Sequence, residues 1–120
     1  MFFREDITAK LRRNCVMPVS SKSPQDAADT PLMLLRTLAD QGHLCSLPQH
    51  MRPVYWEFDH ALSLYPLPTQ IFLGDKVEAF TKETPEVTLN SVSSFPASDF
   101  SFLVYWPGRR EVEVSSLQQS

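Results

Sequence analysis

Glycine, cysteine and long apolar runs are scarce in this 120-residue chain, and each scarcity excludes a class of protein. Its three glycines are too few for a phosphate-binding loop, and no GxxxxGK[ST], GxGxxG or GxSxG motif occurs. Its two cysteines, Cys15 and Cys45, are too few for a disulfide framework or a zinc ribbon, so we expect reduced thiols. The apolar runs are far shorter than the roughly 20 residues that cross a bilayer. The first six residues also lack the layout of a secretory signal, so we expect a soluble intracellular protein without a membrane partner.

The chain also lacks an excess of positive charge, because its formal net charge is -3 and its isoelectric point is about 5.5. No field over the whole chain would therefore attract nucleic acid or anionic lipid. The length allows at most one modest domain. Hydrophobic residues make up 42% of the chain, which is typical of a packed core despite the ten prolines.

Two apolar stripes in the first half of the chain predict helices. Phe3, Ile7 and Leu11 recur at a spacing of four and predict an amphipathic helix near residues 4–13. We interpret the basic residues at its carboxyl end as balancing the negative end of the helix dipole, rather than as a phosphate-binding patch. A second helix is predicted near residues 31–41, ending at Gly42. Residues 17–30 are rich in Ser, Pro and Asp, and this composition favours a flexible loop.

Short strands are predicted in the second half of the chain. Apolar and β-branched runs bounded by turn residues predict strands near residues 70–74 and 86–90. Alternating apolar residues near 100–106 and 110–114, joined by Pro107-Gly108-Arg109, predict a β-hairpin. Helices and strands together indicate an α+β or α/β fold.

The segment between these halves, from Leu47 to Pro68, combines prolines with aromatics, and we call it the proline-rich segment. Tyr55, Trp56, Phe58 and Tyr65 lie on proline-broken chain, so we expect this segment to drape over a core and supply an adhesive surface. A short helical turn starting at Asp59 and covering residues 60–64 is one alternative there, and extended chain is the other.

The residues that carry chemistry in other proteins are not arranged for chemistry here. His43, His50 and His60 lack HxxxH and HxH spacing, so we interpret them as structural or surface residues, with His43 able to bond to nearby backbone. Asp75 and Lys76 follow an apolar strand, where active sites are often found, but no second carboxylate or histidine accompanies them. We expect a solvated turn at this position, no catalytic or metal-binding residue and no cofactor.

Several clusters in fixed order resemble the family of B subunits of DNA polymerase epsilon. They span nearly the whole chain and are Phe3-Arg4-Glu5-Asp6, Arg13-Asn14-Cys15, Gln41-Gly42-His43-Leu44, Leu47-Pro48, Pro53-Val54-Tyr55-Trp56, Asp59 with Ala61-Leu62, Tyr65-Pro66-Leu67-Pro68, Gly74-Asp75-Lys76, and Ser94-Phe95-Pro96 with Phe100-Ser101-Phe102. Each cluster is weak by itself, whereas the ordered set is specific. One departure is the segment from Asn90 to Phe95, which lacks the family's Pro-Gly pair.

The resemblance implies a fold as well as a family. It implies that residues 1–120 are the last part of a calcineurin-like phosphoesterase domain, a β-sandwich of two mixed sheets with flanking helices. Active relatives close their metal site with a Gly-His-x-His motif, whereas this chain has Gly74-Asp75-Lys76-Val77. Because a protonated lysine offers no lone pair, the resemblance implies an inactive site.

The implied function is that of a non-catalytic accessory and scaffold subunit in chromosomal DNA replication and repair, located in the nucleus. The implied partners are the zinc-bearing C-terminal region of the polymerase epsilon catalytic subunit, the other holoenzyme subunits and, through the complex, DNA. The alternatives are a residual metal-dependent phosphoesterase and an independent nucleic-acid-binding module.

The chain is much shorter than a full subunit of this family, so we expect a partial gene product, fragment or splice form. Such a fragment would leave sheet edges unpaired and core aromatics partly uncovered, namely Trp56, Phe72 and Phe102. We therefore expect poor stability of the chain alone.

Overall fold

The computed structural model describes residues 1–15 and 30–117, which form a four-stranded sheet, a separate β-hairpin and three helices. The helices of this part of the chain are α1 (Ile7–Asn14), α2 (Thr30–Gln41) and α3 (Asp59–Leu62), with 3-10 turns at Trp56–Phe58 and Phe95–Ala97. The strands are β1 (Phe2–Arg4), β2 (Gln70–Gly74), β3 (Phe80–Glu83), β4 (Thr88–Val92), β5 (Ser101–Trp106) and β6 (Glu111–Ser116). None of the described helices is long and apolar enough to cross a membrane.

The four-stranded sheet has the order β1-β2-β4-β3 and is mixed. Strand β2 runs parallel to both β1 and β4, and β3 runs antiparallel to β4. Among the described strands, β5 and β6 pair only with each other, in an antiparallel hairpin. This mixture of helices with two sheets confirms the broad α+β expectation.

The core lies between one face of the sheet and helices α1 and α2. Ile71 and Leu89 are register partners on β2 and β4, and both are fully buried in one cluster with Ile7 of α1. The remaining members of this cluster come from α2, the strands and the loops, and they are Leu34, Leu35, Leu38, Leu44, Leu64, Leu73 and Val87. Burial of these side chains is the main force that holds the helices on the sheet.

The opposite face of the sheet carries Phe72 and Asn90, because neighbouring residues of a strand point to opposite sides. Phe72 contacts Tyr105 of the hairpin with ring centroids 5.0 Å apart and stacks on Phe2 at 4.8 Å. Asn90 is fully buried, accepts a hydrogen bond from Thr81 and donates one to Gln70. These contacts place the hairpin beside this second face and link strands β2, β3 and β4.

The first predicted helix begins too early, because residues 2–4 form strand β1 instead. The peptide N–H of Phe72 donates to the Met1 carbonyl at 2.8 Å, and that of Glu5 donates to the Gly74 carbonyl at 3.1 Å. Phe3 still packs against the core from this strand. A core-facing strand residue therefore happened to extend the helical spacing of Ile7 and Leu11.

The strand predicted near residues 86–90 is displaced to Thr88–Val92, and strand β3 was not predicted. Glu83 pairs with Thr88, so residues 84–87 form a turn rather than a strand. The Thr84 N–H donates to the Val87 carbonyl at 2.9 Å, and this bond closes the turn. The sequence did not predict β3 because Thr81, Lys82 and Glu83 are polar. Only the pairing of β3 with β4 makes this segment a strand.

The other predicted elements are confirmed with small changes of boundary. The strand at residues 70–74, the helix near 31–41 and the hairpin are all present, and the alternative helical turn at Asp59 is α3, which ends at Leu62. The predicted loop at residues 17–30 lies outside the described residues except for Thr30, which already belongs to α2.

Candidate functional site

The carboxyl ends of β1 and β2 meet at one edge of the sheet, since the two strands are parallel. Glu5 and Asp6 follow β1, and Asp75 and Lys76 follow β2. Lys10 of α1 and Arg52 of the proline-rich segment also reach this edge through ion pairs. We call these six residues, Glu5, Asp6, Lys10, Arg52, Asp75 and Lys76, the strand-end cluster.

Asp75 is buried, with only 6% of its surface exposed, so the expectation of a solvated turn is wrong for this residue. One carboxylate oxygen accepts the Thr8 N–H of α1 at 3.0 Å, and the other accepts the Lys76 N–H at 2.6 Å. The first N–H groups of a helix lack acceptors within the helix, and Asp6 makes no capping bond with its own side chain. Asp75 therefore caps α1 from the end of the neighbouring strand β2. Its negative charge interacts favourably with the positive end of the helix dipole.

The remaining charges of the strand-end cluster pair with one another. The ammonium of Lys76 lies 2.9 Å from the Asp6 carboxylate. The Glu5 carboxylate binds the Lys10 ammonium through one oxygen and the Arg52 guanidinium, at 2.9 Å, through the other. The acidic groups at this edge therefore have protein partners.

The strand-end cluster does not fit the metal centre of an active phosphoesterase. Both Asp75 oxygens already accept backbone N–H groups, and the Lys76 ammonium has no lone pair for a metal. Within residues 1–15 and 30–117, no group of three His, Cys, Asp or Glu side chains could hold a metal ion. The donor set at this edge therefore suits hydrogen bonding within the chain.

The three histidines differ in their exposure to solvent. His43 accepts the Cys45 N–H through Nδ1 at 3.0 Å, as the sequence suggested, so Nε2 carries the proton and faces Asp59 at 3.2 Å. This pair ties the chain after α2 to α3. His50 and His60 are exposed.

The proline-rich segment presents its aromatic rings to solvent. The exposed fractions are 78% for Tyr55, 87% for Trp56, 62% for Phe58 and 91% for Tyr65. A 3-10 turn spans Trp56–Phe58, and the Phe58 N–H donates to the Tyr55 carbonyl at 2.9 Å. Large exposed aromatic side chains are typical of interaction surfaces.

Two of the aromatics that we expected to be uncovered are indeed exposed, and one is not. Trp56 is exposed, and Phe102 is 36% exposed. Phe72 is only 5% exposed, so that expectation is wrong. Phe2 and Tyr105 cover Phe72 from β1 and β5.

Tyr55 and Phe58 line a groove that sequence reasoning did not predict. The groove has a volume of about 270 Å³ and is mainly apolar, with the guanidinium of Arg52 as its charged group. We call it the aromatic groove, and its lining residues are Phe3, Cys45, Arg52, Pro53, Val54, Tyr55, Phe58, Ala61 and Leu62. It brings β1 together with the proline-rich segment and α3, which no local pattern in the sequence connects.

Cys45 reports on the environment of the aromatic groove. Burial raises the pKa of the Cys45 thiol, and this effect outweighs a hydrogen bond with the Leu47 backbone and the nearby charge of Arg52, which both lower it. Glu5 raises the same pKa and Lys10 lowers it. The thiol therefore lies close to the charges of the strand-end cluster. Both Cys45 and the exposed Cys15 are free cysteines.

Comparison with known proteins gives a consistent picture. A family model that describes the B subunits of DNA polymerases alpha and epsilon matches residues 1–82. DNA polymerase epsilon subunit 2 of Bos taurus is 41% identical over 116 residues, which cover 97% of this chain and 21% of the relative. The Homo sapiens protein of the same name is 40% identical over the same coverage. The DNA polymerase epsilon B subunit of Arabidopsis thaliana is 39% identical over 98% of this chain and 22% of the relative. The chain thus spans about one-fifth of the length of these relatives.

Proposed function

Because the chain belongs to the family of DNA polymerase alpha/epsilon B subunits, we propose that it is a non-catalytic accessory and scaffold component of the DNA polymerase epsilon complex. Its role would lie in chromosomal DNA replication and repair in the nucleus. Its direct partner would be the zinc-bearing C-terminal region of the catalytic subunit. Contact with the other holoenzyme subunits and with DNA would come through the assembled complex.

One observation carries this proposal beyond the family name. At the carboxyl ends of β1 and β2, where an active phosphoesterase would hold its metals, Asp75 caps α1 and Lys76 pairs with Asp6. Meanwhile the aromatic side chains of the proline-rich segment lie exposed. The chain therefore offers a surface for binding and no free set of groups for hydrolysis at this edge.

We also propose that residues 1–120 represent the last part of an inactive calcineurin-like phosphoesterase domain. The mixed sheet carries helices on one face and contacts a β-hairpin through Phe72 on the other. This arrangement supports a β-sandwich with flanking helices.

Co-purification tests the proposed function directly. The tagged chain would be co-expressed with the catalytic subunit of DNA polymerase epsilon, and we expect the two to elute together at a constant ratio. A relative of full family length serves as the positive control. Failure of this chain to bind while the control binds would overturn the proposal.

A hydrolysis assay separates the scaffold from the residual phosphoesterase. We expect no manganese-dependent turnover of a phosphodiester substrate above that of the Asp75→Ala and Lys76→Ala variants. Because Asp75 also holds α1, the exposed Lys76 provides the variant that leaves the cap intact. Turnover that both substitutions abolish would reverse the assignment.

A salt titration addresses independent nucleic-acid binding. Arg12 and Arg13 are exposed in the last turn of α1, and the chain as a whole is acidic. We expect no binding of single-stranded or duplex oligonucleotides at physiological salt. Binding with a steep dependence on salt concentration would support the alternative.

A further inference from the structure

We propose that the aromatic groove accommodates one large apolar side chain of a partner polypeptide, next to a carboxylate of that partner which pairs with Arg52. This inference rests on the proposed function, because the partner there is the catalytic subunit. It adds the surface used and the chemistry that this surface recognises.

The apolar half of the inference comes from the lining of the groove. Phe3 and Leu62 are partly buried against the core and form a fixed base, whereas Tyr55 and Phe58 remain largely exposed. When a partner covers these exposed rings, they leave contact with water, and this burial favours binding. A single aliphatic or aromatic side chain fits the volume of about 270 Å³. Buried apolar anchors of this kind carry much of the affinity in protein interfaces.

The charged half comes from the position of Arg52. Its guanidinium is held by the Glu5 carboxylate at 2.9 Å, yet 52% of its side chain is exposed. Lys10 shares the same carboxylate. Among the described residues that line the groove, Arg52 is the charged one, and its charge is positive. A guanidinium fixed on one side and open on the other is suited to accept a second carboxylate.

The same features disfavour two other occupants. A basic peptide would meet the exposed guanidinium of Arg52. A nucleic acid gains its affinity from several cations that follow the phosphate backbone, whereas Arg52 is the one charged residue that lines this groove. An acidic and apolar segment of a protein matches both the charge and the lining.

Matched variants in the complex test the inference. We expect Arg52→Glu and Phe58→Ser each to weaken the affinity for the catalytic subunit about tenfold or more. Arg36→Glu on the exposed side of α2 and Trp106→Ser on the hairpin repeat the two chemical changes away from the groove, and each should change binding less than about twofold. Arg52→Gln removes the charge without placing a second carboxylate beside Glu5, and its effect should be intermediate.

Footprinting at Cys45 gives a second readout that needs no change in the groove. In a Cys15→Ser chain, Cys45 is the single thiol and lines the groove. We expect the bound catalytic subunit to slow alkylation of Cys45 at least about fivefold. Circular dichroism of every variant checks that the secondary structure is retained.

The possible outcomes distinguish failure of the groove inference from failure of the proposed function. If the unchanged chain binds while the groove variants bind as well as their controls and Cys45 stays reactive, the groove inference is wrong and the accessory role stands. If the unchanged chain does not bind at all, both are wrong. Protection of Cys45 by an oligonucleotide, or protection that rises with chain concentration without a partner, would also overturn the inference.

Discussion

At the scale of single residues, Asp75 shows how the position of a catalytic group can serve a structural purpose. Its place after a parallel strand is one where many proteins hold reactive groups. Here both of its oxygens accept backbone N–H groups, one of them from α1. The sequence reveals the position and the missing histidines, but the burial of the carboxylate depends on the packing of α1 against β2.

We predict that Asp75→Asn lowers the free energy of unfolding by about 1–2 kcal/mol, because the cap of α1 loses its negative charge and one of the two acceptor oxygens becomes an NH2 group. Urea unfolding followed by circular dichroism measures the change. Glu113→Gln on β6 is the matched control, since this carboxylate is exposed, and it should change stability by less than about 0.5 kcal/mol. Equal effects of the two substitutions would contradict the capping role.

We predict that Cys45 reacts with thiol reagents at a higher pH in the folded chain than in the urea-unfolded chain. Burial raises the pKa of the folded thiol, so less thiolate is present at any given alkaline pH. The same shift gives a stability that is complete below the ordinary pKa of cysteine and decreases as pH rises through the folded value. The alkylation rate of the Cys15→Ser variant, followed from neutral to alkaline pH, measures the effect. Identical pH profiles for folded and unfolded chains would disprove it.

At the scale of elements, the sequence is informative where local patterns and pairing agree. The hairpin follows from alternation on both strands, and strand β2 follows from a short apolar run that ends at Gly74. Strand β1 and strand β3 were missed because each becomes a strand only through its neighbour, β2 or β4. The aromatic groove was missed for the same reason, because Phe3 and Phe58 meet only in the folded chain.

The turn between β5 and β6 offers a test at this scale. Trp106 pairs with Glu111, and Arg110 has a φ of +56°, in the left-handed region that favours glycine. We predict that Arg110→Gly raises the free energy of unfolding by about 0.5–1 kcal/mol through relief of this strain. Arg109→Gly, one position earlier and outside that region, should lower it by about 0.4–1 kcal/mol because it adds freedom to the unfolded chain. Thermal unfolding of both variants decides the matter, and effects of the same sign would contradict the argument.

At the scale of the whole molecule, burial is concentrated on one side of the sheet. The helical face holds the continuous apolar cluster. The described part of the chain leaves β1 and β3 at the two borders of the four-stranded sheet and four aromatic rings of the proline-rich segment largely in water. Open sheet borders and exposed rings favour association with another chain. The distribution of apolar surface therefore supports the proposed role of the chain in a larger assembly.

We accordingly predict that the isolated chain unfolds over a broad temperature range and associates at micromolar concentration, whereas the complex with the catalytic subunit melts at a higher temperature. Binding stabilises the folded state by mass action, and the exposed rings become covered at the same time. Calorimetry and light scattering of the chain with and without its partner measure both effects. A sharp, cooperative transition of a monomer, unchanged by the partner, would show that the four-stranded sheet and its helical face are sufficient on their own.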